Sequence, residues 1–224
     1  MYMSRLTLRP ERAQPSQLIR ISADGGYRLH QLLWELFEGD QPRPFLYRQE
    51  SRSALPRLLL LSEQEPHDPA DLWRIESQLY APKLLAGERL AFSIRINPII
   101  KKRDDAGRQW RHDLVMEQKQ QLKRSGTPHA QWPTQPELAY RAAVQWLTQR
   151  AEGGGYALDP NSLLAEEYRQ HRMQKRGKAP IRLTTLDCSG LLTVTDPERL
   201  LQTLKTGLGP AKGFGCGLLL VRRV

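Results

Sequence analysis

Cysteine is nearly absent from the chain: 224 residues contain only Cys188 and Cys216. Two thiols cannot build a disulfide framework, and without a C-x-x-C pair they do not make a zinc site either. So little cysteine fits a reducing, cytoplasmic compartment. Long apolar runs are missing as well. The longest, such as 58–61 and 218–221, fall far short of the roughly 20 residues that cross a bilayer. The first ten residues hold neither the apolar stretch nor the cleavage site of a signal peptide. Four of the five histidines, His67, His112, His129 and His171, are scattered without metal-ligand spacing of the H-E-x-x-H kind. There is no G-x-S-x-G element and no phosphate loop of the G-x-x-x-x-G-K-[ST] form. No metal or cofactor is therefore expected. Acidic residues are also few, with 24 Asp and Glu against 34 Lys and Arg, a net charge of +10. Such a surplus points to a polyanionic partner, because every phosphate neutralised releases counterions.

What the chain does contain reads as a soluble α+β protein. Residues 1–9 alternate as a strand, and a helix follows with Asp24 as its N-cap. Leu29, Leu32, Leu33, Leu36 and Phe37 form one apolar stripe along it, and Gly39 ends it. Strands are expected at 44–48 and 55–62, a short helix at 66–75 and a strand at 88–96. This order is β-α-β-β-α-β. The second half reads similarly with insertions. A strand pair at 97–115 turns at Asp104-Asp105-Ala106-Gly107, and 116–133 reads as an irregular polar connection. A capping box at Thr134 to Glu137 opens a helix faced by Ala139, Ala142, Ala143, Trp146 and Leu147, which the glycines at 153–155 stop. Residues 156–182 carry no clear period. A strand broken at Ser189-Gly190 spans 183–194. A second capping box at 195–198 opens a helix closed by Gly207, and 218–221 is the last strand. Two tandem ferredoxin-like (RRM-like) domains are expected, at 1–96 and 97–224.

Three features point to chemistry. Tyr27 and His30 lie on one flank of the first helix near its start, with Trp34 between them in azimuth and all three off the centre of the leucine stripe. Backbone amides and the dipole at a helix start favour phosphate. A histidine and a tyrosine beside a phosphate suit RNA transesterification, in which one group takes the 2′-hydroxyl proton and another protonates the 5′-oxygen. Residue type alone does not say which does which. The second feature is the loop 208–217, with four glycines and Lys212. Its backbone, at Gly213 and Gly215 in particular, can approach RNA closely. The third is charge: Arg169, Arg172, Lys175, Arg176, Lys178 and Arg182 occupy 169–182 without one acid. A second cluster holds Lys101, Lys102, Arg103, Arg108 and Arg111. Both suit the backbone of a structured RNA. Asp104 and Asp105 could serve a metal-dependent nuclease, but turn chemistry explains them better. A non-catalytic RNA-binding role fits the same basic surfaces.

Several of these segments together resemble the CasE family, the repeat-cleaving endoribonucleases of type I-E CRISPR systems. The likeness is carried by the opening Met-Tyr-Met-Ser, by the run from Tyr27-Arg28-Leu29-His30 through Trp34-Glu35-Leu36-Phe37, by Pro44 to Arg48, and by Arg95-Ile96-Asn97-Pro98-Ile99. It is most specific at the glycine-rich segment 207–219. The match is weak over 118–174. The resemblance implies two ferredoxin-like domains and metal-independent cleavage of precursor CRISPR RNA at the 3′ base of the repeat hairpin. His30 and Tyr27 would be the catalytic pair, and 169–182 would grip the hairpin stem. It also implies that the enzyme stays on its product among the other subunits of Cascade. The run 32–40 supplies no lysine, so any third, cationic catalytic group must come from elsewhere.

Overall fold

A computed structural model describes the chain apart from residues 16–17, 19–26, 39–43, 51–55, 104–106, 108 and 176–177, and apart from the side chains of 27–28, 102, 109, 173–175 and 178–181. It divides into two packing units. One comprises Met1–Lys83, His171–Leu183 and Leu204–Leu218, and the other Leu84–Gln170, Thr184–Thr203 and Leu219–Val224.

The first unit is built on β1 (Tyr2–Leu8), β2 (Phe45–Gln49), β3 (Arg57–Ser62) and β4 (Trp73–Leu79). They form one sheet in the order β2-β3-β1-β4, every pair antiparallel. Strands numbered in this way and ordered 2-3-1-4 are the ferredoxin-like arrangement. Helix α1 (Tyr27–Trp34) connects β1 to β2. Its leucines at 29, 32 and 33, and Leu36 just beyond, are all buried against Leu6, Leu8, Phe45, Tyr47, Leu58 and Leu60 of the sheet. A helix packed along one stripe holds its flank at a fixed azimuth, and that flank carries His30. The bonds Leu36 N–H to Leu33 C=O and Phe37 N–H to Trp34 C=O tighten the last turn. The N-cap read at Asp24 and the stop read at Gly39 lie outside the described residues.

The helix expected at 66–75 is absent. A turn at 69–70 leads into β4, which pairs with β1 along its whole length. Asp68 explains why. Its carboxylate accepts from the N–H groups of Ala70 and Trp73 and closes a local turn that competes with a helix. As an edge strand, β4 buries little beyond Trp73, so its sequence shows no clean alternation.

The second unit repeats the plan. Strands β5 (Arg89–Ile96), β8 (Tyr156–Lys175), β9 (Lys178–Val194) and β10 (Leu220–Arg223) are ordered β10-β5-β9-β8. Strand β5 therefore opens the second sheet, pairing with β9 and β10, and the expected division after residue 96 falls at the end of this strand. Its alternation of Leu90, Phe92, Ile94 and Ile96 is as read, but a period of two names a face and not a sheet. Helix α3 (Gln135–Thr148) starts at the expected capping box, with Thr134 and Glu137 bonded reciprocally. Burial of Ala139, Ala142, Ala143, Trp146 and Leu147 follows the expected stripe.

Residues 116–133 are more regular than their polarity suggests. Helix α2 (Leu114–Arg124) is N-capped by Asp113, whose side chain accepts from Met116 N–H, and a 3₁₀ turn follows at His129–Gln131. The stretch without clear period is β8 together with the start of its sheet neighbour β9. Strand β9 also runs unbroken through Gly190, where a Cβ would come within 3.0 Å of the Ser162 carbonyl. Strands β6 (Ile99–Arg103) and β7 (Gln109–Asp113) form the expected separate ribbon. Helix α3 ends at Thr148, short of the glycines expected to stop it; Gly153 and Gly154 fall in the short helix α4 (Ala151–Gly154), which left-handed Gly155 closes. Helix α5 (Pro197–Thr206) differs in its cap: the Asp196 carboxylate, not Thr195, accepts from the N–H groups of Glu198 and Arg199. Among the described residues no helix is long and apolar enough to cross a membrane.

Candidate active site

His30 is half-buried on α1 within a group of aromatic rings. Trp34 lies one helical turn on, with its ring centroid 6.2 Å away at 89°. Phe45 and Tyr47, two residues apart on β2 and so on one face, bring their rings to 6.2 Å and 6.5 Å from the imidazole. The indole N–H of Trp34 donates to Nε2 of His30 at 3.3 Å. Phe45 packs edge-on to Trp34 at 5.5 Å and stacks on Phe37 at 5.2 Å.

Tyr47 joins this group to the glycine-rich loop. Its hydroxyl donates to the Gly213 carbonyl at 3.0 Å, and the 3₁₀ turn at Lys212–Phe214 also lies against α1. Gly215 has φ +77°, and a Cβ there would stand 3.3 Å from the Tyr47 ring. Gly207, at φ +76°, would drive a Cβ to 2.8 Å from Leu46 and 3.0 Å from the Gly217 carbonyl. Glycine is thus demanded twice over, by backbone conformation and by close approach. Lys212 reaches back to the Thr206 carbonyl at 2.6 Å, a cation set on the carbonyl end of α5. Ala211 takes φ +62° to start the turn, a conformation that an L-residue holds only when its surroundings impose it. His30, Lys212, Gly213 and Gly215 therefore meet in one packing unit. Removing the Tyr47 hydroxyl should loosen this junction. Tyr47→Phe is expected to cost about 1 kcal/mol of stability. Denaturant unfolding of the full chain measures it, and a midpoint equal to that of the wild type would show that the bond holds nothing.

Tyr27 opens α1, but its side chain lies outside the described residues. Arg169 and Arg172 are exposed on β8, and Arg182 is exposed on β9. The side chains of Lys175 and Lys178, and Arg176 altogether, lie outside the described residues. Arg169 has Glu167 at 3.4 Å, a pair open to water and worth little by itself. Lys101 stands opposite Arg111 in the β6–β7 ribbon, both exposed. Like charges facing each other across a ladder repel, and a phosphate between them relieves that cost. The side chain of Lys102 and the whole of Arg108, Asp104 and Asp105 lie outside the described residues. Among the described residues, no three His, Cys, Asp or Glu side chains are grouped to hold a metal ion.

A sequence model of the family described as CRISPR associated protein matches residues 1–223. The CRISPR system Cascade subunit CasE of Escherichia coli (strain K12) is 31% identical over 197 residues, covering 86% of this chain and 89% of that one. The chain belongs to the CasE family. A second relative, the CRISPR-associated endoribonuclease Cse3 of Thermus thermophilus, is 29% identical over 241 residues and covers 99% of both chains. The crystal structure of the CRISPR-associated protein Cas6e from Escherichia coli str. K-12 superposes over 100% of both chains, with a TM-score of 0.68 and 25% identity. CasE membership and this superposition agree with the two ferredoxin-like sheets. The sequence reading missed Phe45 and Tyr47 as site residues. Their spacing of two on a strand was the available signal, but it reads equally as core.

Proposed function

We propose that this CasE-family chain is a metal-independent endoribonuclease that cuts precursor CRISPR RNA at the 3′ base of the repeat hairpin. It then stays on the product among the other Cascade subunits. The observation that carries the reading is His30 held beside the glycine-rich loop through Tyr47, in a chain whose relatives are named as an endoribonuclease and as a Cascade subunit. The RNA supplies its own nucleophile. The 2′-oxygen bonds to phosphorus as its proton leaves to a base, and the P–O5′ bond breaks as that oxygen gains a proton from an acid. The products are a 2′,3′-cyclic phosphate and a 5′-hydroxyl, and no water or metal enters the balance. His30 and Tyr27 are the pair assigned to the two proton transfers. The loop at Lys212, Gly213 and Gly215 supplies backbone amides and a cation near the phosphate. Arg169, Arg172, Lys175, Arg176, Lys178 and Arg182 grip the stem, and Lys101, Lys102 and Arg108 add to the phosphate contacts.

The test is cleavage of an end-labelled repeat hairpin in excess EDTA and in Mg²⁺. Equal rates and a 5′ fragment ending in a cyclic phosphate are expected. Loss of cleavage in EDTA with recovery in Mg²⁺ would replace the mechanism with a metal-dependent one, and RNA left intact by stoichiometric protein would leave a binding subunit.

A further inference from the structure

We propose that Trp34 is a positioning residue for the reaction, fixing the His30 imidazole in the neutral tautomer that carries its proton on Nδ1. The inference rests on the reading of His30 as catalytic.

Helical spacing sets the contact, since residues four apart share a face. The indole N–H donates to Nε2 of His30 at 3.3 Å with the two rings nearly perpendicular, so the donor points at the edge of the imidazole. Indole has a hydrogen to give and no lone pair to offer in return. The nitrogen that accepts it must be unprotonated, and a neutral imidazole then has its one hydrogen on the other nitrogen, Nδ1. Free histidine favours the opposite arrangement, with the proton on Nε2. Trp34 therefore selects the minority tautomer.

The indole is itself held. Phe45, which is 3% exposed, packs edge-on against it at 5.5 Å, and Phe37 stacks on Phe45 at 5.2 Å. On its other sides the imidazole meets Phe45 and Tyr47, rings fixed by β2 and by the bond from Tyr47 to Gly213. Donor and acceptor are thus both locked by packing, the condition for a supporting residue to set the geometry of a reacting one. In the resting enzyme, the imidazole hydrogen therefore sits on Nδ1. The Nε2 lone pair stays engaged by Trp34 until that bond opens.

The experiment uses the full chain with ¹⁵N-labelled histidine at pH 8, above the ordinary histidine range. The His30 nitrogens are assigned by comparison with His30→Ala. In the wild type, the protonated-type ¹⁵N shift is expected at Nδ1 and the unprotonated-type shift at Nε2. Trp34→Phe keeps an aromatic ring against Phe45 and removes the donor. It is expected to return His30 to the Nε2–H form and to lower single-turnover cleavage about tenfold with the Kd for repeat RNA unchanged. An Nε2–H tautomer in the wild type would overturn the proposal, as would the same tautomer in both proteins. Wild-type cleavage by Trp34→Phe would overturn the link to the reaction. Should Trp34→Phe unfold, the wild-type spectrum alone still decides the tautomer. Normal cleavage by His30→Ala would instead remove His30 from catalysis and leave the tautomer result standing, so the two failures are distinguishable.

Discussion

Replacing His30 with alanine is expected to slow repeat-RNA cleavage by about 10³-fold and to leave RNA binding within about twofold. Proton transfer by a positioned side chain contributes about 10²–10⁴ to such a reaction, and histidine is the side chain whose ordinary range brackets neutral pH. Binding is expected to be spared because, on the proposed reading, it comes mainly from the arginines and lysines on β8, β9 and the β6–β7 ribbon. The loop geometry is spared too, since it depends on Tyr47 and Gly213. Single-turnover cleavage with excess protein and a filter-binding Kd separate the two effects. Cleavage at the wild-type rate would remove His30 from the chemistry, and an equal loss of binding would make it a contact residue instead.

A single 2′-deoxy substitution, at the nucleotide just 5′ of the cut, is expected to bring cleavage below detection. The 2′-oxygen is both the nucleophile and the atom that becomes part of the cyclic phosphate, so deleting it removes the bond that must form. The hairpin keeps its stem and all of its charge, so affinity is expected to stay within a few-fold of that of the all-ribose RNA. Hydrolysis by an activated water needs no 2′-oxygen. A substituted RNA that is still cut would therefore exclude the proposed chemistry while leaving the site where it is.

Helix α1 was legible because its leucine stripe is long and its period unambiguous, and that stripe fixed the azimuth of His30 without any knowledge of what it packs on. The capping box at Thr134 was equally local, and α3 begins there. Strand β4 was not legible. Its residues Trp73 to Leu79 sit at a sheet edge, and Asp68 closes a turn that resembles the start of a helix. Strand β5 was found but given to the wrong neighbours, because alternation carries no information about pairing partners 90 or more residues away. Strand β8 and the first residues of β9 hid for a related reason. Exposed residues such as Leu164, Arg169 and Arg172 interrupt any alternation, so polarity alone resembled an irregular segment. Within the site, the residues of α1 and the glycine-rich loop announced themselves by type and spacing. Phe45 and Tyr47 did not, since ring packing around a histidine is a tertiary fact that a strand of five residues cannot express.

The hydrogen bond from Tyr47 to Gly213 closes a span of 166 residues. A ribosome making this chain releases His30 and its aromatic neighbours early, while the loop that completes their surroundings is still untranslated. The first unit also draws on Leu204–Leu218, so its own packing is unfinished until that segment has been made. Contacts so distant in sequence form late, after the local helix and hairpins are in place. A nascent chain thus carries the imidazole without its glycine-rich wall, and the proposed RNA-cutting competence waits until that loop has been made.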